Sequence, residues 1–570
     1  MSNTATGATA VEQPPRFPNI SHLHTYFFFP FSIDKDAVRK DHAEIWRRHP
    51  LWIDGLDAWI AAHGGADPVS SKLGRWKRAA YSEFDIESSA YQDMVFFHPF
   101  VRRVFFDTTG MADPKEEAES LLRFYTLEIP DSKRVLLQAD DSRGRKISAE
   151  ITAFRLMMFA NGIGILSISV ECHDIPGAQA LWINEMMRKV YPSSGRQLRE
   201  GRMPRRQALI LEEADVCTKL IEECWEHPAI ANYQPPLSKV IKGLLYFTNY
   251  ERQEYEPVLD ERMIVYTYLA IDPRSVPEDY AESPEYQVFL SRVLYVDRAG
   301  VQYRYDRLFV AEEMRKYVYR RWAHQGTYYG FSAYSNITLC IGSFDCDDHL
   351  LREGFLIHRM FRSRYYLMAV IALFYRATLL DMNERTALIS KRLFRDFHDD
   401  REFRQENIDA ANGMFVEFLH FANFWHFDEL ANKDEEQEHF EMQCSAFRIQ
   451  PSLTEVEQSV RRLNSSLNEY YESRQMAAVN RLAVLSLVFG CGAVLTGFFG
   501  MNFGGIFRGL FFENHTWAQA AAVGFVALAT LLAFAYGGYL IAANWQDYRD
   551  AANPRRRRGP LDSVSVKRID

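Results

Sequence analysis

Cysteine is scarce and unpatterned: seven in 570 residues (Cys172, Cys217, Cys224, Cys340, Cys346, Cys444 and Cys491), an odd number without a Cys-x-x-Cys pair. That excludes a disulfide framework and a thiolate zinc site, and the thiols read as reduced, as in the cytosol. Also missing is a basic stripe with interleaved aromatics; with a net charge of -9 and a pI near 6.0, a general nucleic-acid binder is excluded. No Walker-type phosphate loop occurs, which disfavours an ATP-driven pump. The opening MSNTATGATAVEQPPRFP has neither a basic start nor an apolar core, so a flexible leader over 1–18 is expected, not a signal peptide.

The most informative absence is local. Between Arg481 and Arg508 there is no Lys, Arg, Asp, Glu or His, and Leu482 to Phe499 is apolar or small throughout. This approaches the ~20 residues that a membrane helix needs. A second uncharged run, Trp517 to Ile541, follows a short loop and carries Trp517, Tyr539 and Trp545 where interfacial aromatics belong. Arg461, Arg462, Arg474 and Arg481 precede the first run and Arg555 to Arg558 follow the second, against a lone Arg508 between them. The asymmetry predicts two spans in the plasma (inner) membrane with both termini cytosolic, the arginine tail resting against anionic lipid.

Over the whole chain 47% of residues are hydrophobic and 25% charged, enough to bury a large core, and what is present upstream of the two runs is ordinary globular sequence. Asn161-Gly162 between two β-rich runs predicts a hairpin. SRVLYVD (291–297) and GFSAYSNITLCIGSF (330–344) read as further strands. Long helices are expected from Tyr365 and from Glu406; the run Tyr365 to Tyr375 is too short, and too soon followed by Arg376 and Asp381, to span a membrane. PSLTEVEQSV opens with a proline and a capping box, Ser452 with Glu455, which predicts a helix start. Leu453, Val456, Val460, Leu463, Leu467 and Tyr470 then recur at alternating steps of three and four. That seam suits either a coiled coil or one amphipathic helix on its own domain's core. No proline interrupts Ser452 to Asn502, so a single long helix is expected to leave the cytosol and become the first span.

That helix would finish in TGFFGMNFGG, with a neutral Asn502 where the apolar run stops. Two C-terminal spans, a long helix feeding the first, and Gly500-Met501-Asn502 at its far end resemble the CorA family of divalent-cation channels. The resemblance covers the stalk and the spans and is only general over the soluble part. It implies a homopentamer around one pore, with the first span lining it, the second facing lipid, and Gly500, Met501 and Asn502 forming the selectivity filter. Asn502 would then meet the metal through the ion's hydration shell. Physical chemistry agrees: Mg²⁺ sheds water reluctantly, so a ring of carboxamide oxygens suits a hydrated ion better than a cage of carboxylates. Steps of three and four back from Gly500 give Gly497, Ala493, Gly490, Ser486, Leu482, Val479 and Met476 as the pore-lining face, although small residues at such spacing also serve helix packing. Thr496 lies off it. The loop FGGIFRG, with Arg508 and a distant Glu513, is similar to the ZntB branch linked to zinc, whereas Met501 favours Mg²⁺. The family also builds regulatory metal sites from carboxylates, for which Asp345, Cys346, Asp347, Asp348 and His349, or His398, Asp399 and Asp400, are candidates alongside the plainer reading of solvated acidic loops.

The expected fold is therefore an α+β cytosolic domain with long stalk helices, followed by two C-terminal transmembrane α-helices. Its divisions would be 19–364 (cytosolic domain), 365–481 (stalk helices), 482–502 (pore span), 503–516 (outer loop), 517–543 (second span) and 544–570 (basic tail). The expected function is transport of a divalent cation, Mg²⁺ before Zn²⁺, without cofactor or enzymatic step, in contact with membrane lipid and further copies of the chain. The rivals are zinc transport of the ZntB type, for which the spans offer no proton-carrying Asp, Glu or His, and a membrane-anchored enzyme or receptor. For an enzyme, Cys172-His173-Asp174 would be the place to look.

Overall fold

The computed structural model describes residues 17–65, 67–79, 95–106, 121–140, 144–213, 216–225, 234–300, 305–342, 353–399, 403–500 and 517–543. The chain divides into two compact units, Met1–Arg385 with Phe418–Glu457, and Thr386–Glu417 with Gln458–Asp570.

The first unit is built on one sheet. Its main strands are β1 (Asn19–Ile33), β4 (Lys133–Asp140), β5 (Lys146–Phe159), β6 (Ile163–Pro176), β7 (Arg206–Glu213), β8 (Val216–Cys224), β10 (Ile264–Ile271), β11 (Val318–Tyr319), β12 (Thr327–Phe331) and β13 (Ser335–Ile341). They run in the order β11-β12-β13-β10-β1-β6-β5-β4-β7-β8. Short strands β2 (Lys77–Arg78) and β3 (Leu122–Leu127) extend β5, and β9 (Tyr255–Pro257) pairs with β1. All neighbours are antiparallel except β10 and β13. The hairpin expected at Asn161-Gly162 joins β5 to β6: Gly162 has φ +98, open to glycine, and Asn161 Oδ1 accepts from the Ile163 N–H at 3.2 Å.

Period-two alternation gives the sheet two faces. Leu23, Thr25 and Phe27 of β1, with Leu166, Ile168 and Val170 of β6, enter the main core. There α2 (Gly177–Met187) supplies Asn184, whose Oδ1 accepts from Thr25 Oγ1 at 2.8 Å. The other face carries His22, His24, Tyr26 and Phe28, and is covered by α4 (Glu353–Arg362) and the first part of α5 (Arg364–Asp399). Phe361 stacks on Tyr266 at 4.2 Å, and Tyr366 lies 5.4 Å from Phe28. By length and composition one helix among the described residues, Ile357–His398, is apolar enough to cross a membrane, but 78% of that apolar window is buried inside the protein. It is a core helix, in keeping with the reading of Tyr365 to Tyr375.

SRVLYVD is not a strand. Residues 291–295 close α3 (Pro284–Tyr295), where Ser283 Oγ caps the helix by accepting from the Tyr286 N–H at 3.0 Å and Pro284 occupies the first turn. Its residues from Phe289 to Leu294 are all buried, which leaves no polar stripe to betray a helix. GFSAYSNITLCIGSF does supply strands, β12 and β13. Both long helices expected downstream are present, as α5 and as α6 (Gln405–His420).

In the second unit, the buried Asp396 caps α6: its Oδ2 accepts from the Arg404 N–H at 3.0 Å and from Asn407 Nδ2 at 2.6 Å. Phe403 packs on Tyr470 of the long helix at 4.5 Å. A groove of about 500 Å³ is lined by Leu393, Phe394, Phe397, Leu463 and Leu467, with Phe394 and Phe397 exposed.

Candidate functional site

Helix α7 (Asp434–Ala446) ends in Phe447 and a left-handed Arg448 (φ +57), and α8 (Ile449–Gly500) begins at once. Ser452 is thus not the cap expected of it; its N–H donates to the Arg448 carbonyl inside the first turn at 3.1 Å, and Pro451 is tolerated because that turn lacks an acceptor for it anyway. From there α8 runs 52 residues without a break. Val456, Val460, Leu463 and Leu467 are buried by the chain itself, so up to Tyr470 the seam packs within one chain.

Beyond Tyr470 that cover ends. Met476, Val479 and Leu482 are exposed by 69%, 61% and 46%, and Ser486, Gly490, Ala493 and Gly497 are exposed as well. These seven fall within about 120° of the helix at about 100° per residue. Exposure alone does not single out their face, since Val484 and Leu487, off it, are also bare. Four of the seven are small residues, and a Cβ built on Gly490 or Gly497 meets nothing within 4 Å, as is also true of Gly492 off that face. Thr496 turns its hydroxyl back on its own helix, donating to the Gly492 carbonyl at 2.9 Å. The described part of α8 reaches Gly500. Met501, Asn502 and the loop 503–516 lie outside the described residues, as do Asp345 to His349, Asp400 and the basic tail. After the loop comes α9 (Trp517–Ala543), with Trp517, Phe525, Leu531 and Tyr539 exposed.

A second constellation escaped the sequence reading. In the register of the sheet His24 of β1 faces Glu171 of β6, and His22 faces His173. Helix α4 lowers His358 onto the pair. His24 Nδ1 lies 2.9 Å from His358 Nε2 and 3.0 Å from Glu171 Oε1, while His22 Nε2 is 3.6 Å from Glu171 Oε2. One donor atom from each of His22, His24, Glu171 and His358 falls within 4.8 Å of all the others. His24 is oriented from behind, its Nε2 lying 2.7 Å from Ser169 Oγ, which meets Thr152 Oγ1 at 2.7 Å. Burial pushes His24 down to about 4 and His358 down to about 3, so both imidazoles are neutral at physiological pH. Burial would raise Glu171, but the two imidazoles beside it outweigh that and keep the carboxyl ionised. The available signal was His-x-His on one face of a strand, weak alone because its partners are about 150 and 330 residues away.

Cys172-His173-Asp174 does not form a catalytic unit. Cys172 turns to the core side of β6, where burial pushes its thiol up to about 11, and His173 stacks on His22 at 4.6 Å on the opposite face. Among the described residues Cys172, Cys217, Cys224, Cys340 and Cys444 form no disulfides.

No curated protein and no solved structure matches the chain significantly. A family model does: residues 417–536, 120 of the 570, match the CorA-like Mg²⁺ transporter protein, a stretch that takes in α7, α8 and most of α9 and supports the CorA family as this chain's relationship.

Proposed function

We propose that this chain is a divalent-cation transporter of the CorA type, in which copies assemble, five by resemblance, around a pore lined by α8 and closed on the outside by a ring of Asn502. The observation that carries the reading is that the family match takes in an uninterrupted helix that reaches the glycine of Gly500-Met501-Asn502. Bare apolar side chains on α8 and α9 support spans at 482–502 and 517–543: Leu487, Trp517 and Leu531 are exposed by 67%, 92% and 68% in the single chain and need lipid or neighbouring copies to cover them.

The mechanism requires no nucleotide. A divalent ion entering a negative interior gains about 4.6 kcal/mol per 100 mV, twice the value for a single charge. Asn502 would hold the ion through its water shell, Gly500 and Gly497 would leave room beneath it, and rings of Leu482, Val479 and Met476 would close the pore by excluding water. Mg²⁺ is the favoured cargo; the Gly504-Gly505-Ile506 loop favours Zn²⁺ as the alternative.

The deciding measurement is flux of each ion into proteoliposomes under an imposed potential, for wild type and Asn502→Ala. Flux that the substitution abolishes or renders unselective, in an oligomer that survives, supports the filter. A wild type that moves neither ion would overturn the reading in favour of a tether.

A further inference from the structure

His22, His24, Glu171 and His358 form a concave set of lone pairs that hydrogen bonding does not satisfy. The single proton at His24 Nδ1 can reach both His358 Nε2 at 2.9 Å and Glu171 Oε1 at 3.0 Å only as a shared, weakened bond, so these close contacts are poorly satisfied. His22 Nε2 is buried and makes no hydrogen bond. A cation placed among them resolves both defects.

We propose that these four residues bind a transition metal of the zinc class. Tetrahedral Zn²⁺ holds nitrogen and oxygen ligands at about 2.0–2.2 Å, which separates neighbouring donors by roughly 3.3 Å. Three of the contacts, at 2.9, 3.0 and 3.6 Å, bracket that spacing, and one donor atom from each of the four residues lies within 4.8 Å of all the others. Three imidazoles and one carboxylate suit Zn²⁺, Co²⁺ or Ni²⁺ and disfavour Mg²⁺, which takes oxygen. The support expected behind a ligating histidine is present, since Ser169 fixes the far nitrogen of His24. A way in exists too: His22 and Glu171 retain 16% and 20% of their side-chain exposure, so the metal can exchange with solvent. The site joins three elements, with β1 giving two ligands, β6 one and α4 one, so that occupancy would tie α4 to the sheet. It stands independently of the transport reading, because it needs neither the pore nor the membrane.

The test uses the full chain in detergent, stripped with chelator and titrated with ZnCl₂, with CoCl₂ as a spectroscopic substitute. Expected are one high-affinity Zn²⁺ per chain, the intense visible bands of tetrahedral Co²⁺, and no competition from excess Mg²⁺. His358→Gln and Glu171→Gln, both at half-buried positions, should each weaken binding at least tenfold. Ser169→Ala should weaken it about tenfold as a positioning change. Hydrogen exchange should slow in α4 on Zn²⁺ addition in wild type and not in His358→Gln. Wild-type protein without the Co²⁺ bands, or variants that bind as well as wild type, would overturn the proposal, leaving the cluster as a packed histidine network. Because the wild-type spectrum decides on its own, a variant that fails to fold does not protect the idea.

Discussion

At the scale of single residues, the chain places several ionisable groups where water does not reach, and His439 is one whose consequence can be measured. It is buried beneath Tyr319, Tyr329, Phe331 and Tyr365; burial, with Arg321 nearby, pushes its imidazole down to about 3. The unfolded chain takes up this proton near pH 6.5 and the folded chain does not. The contribution is therefore complete above pH 6.5 and is lost as pH falls toward 3, by at most about 1.4 kcal/mol per pH unit. Thermal melting between pH 7.5 and 4.5 should show a shallower acid slope for His439→Gln than for wild type. Gly164 offers a steric counterpart: a Cβ there would sit 2.3 Å from Phe31 Cζ across the β1–β6 pair, and Gly164→Ala should cost about 1–3 kcal/mol. The residue scale is also where sequence reading had least to work with. Asn161-Gly162 announced its turn because the signal is local, whereas His24, Glu171 and His358 meet only through sheet register and a helix docked much later in the chain.

At the scale of elements, α8 changes its environment along one continuous rod. Its first turns bury Val456, Val460 and Leu467 to within 2% of complete, so Leu467→Ala should lower thermal stability by about 2–5 kcal/mol. Val479→Ala removes a side chain that the single chain leaves 61% exposed; it should leave the melt unchanged and alter ion flux or its closure. A melt that responds equally to both would mean that Val479 is packed in the fold rather than bordering a pore. Periodicity made the described part of this helix legible apart from its start: Arg448 in a left-handed turn opens α8 three residues ahead of the Ser452–Glu455 box. The error at SRVLYVD has the opposite cause. Strand and buried helix share one composition, and the evidence lay in Ser283-Pro284 a turn earlier.

At the scale of the whole molecule, two compositions are written into one chain. A charged unit with a large core precedes helices whose large apolar residues stay bare, and the protein should accordingly remain with membranes after alkaline carbonate washing and leave them only with detergent. Composition alone predicts that division. It did not reveal sheet order, since nothing in the alternation of β1 says that its partners on either side will be β6 and β10.

That order bears on how the chain is made. β1, complete once Ile33 has been synthesised, finds β6 by Pro176, yet its second edge stays open until β10 ends at Ile271, about 95 residues later. At about 5–20 residues per second the ribosome takes on the order of 5–20 s to cover that interval. Throughout it, Tyr26-Phe27-Phe28 lack their β10 neighbours, and the nascent protein is obliged either to shield that edge with a chaperone or to outrun its own aggregation.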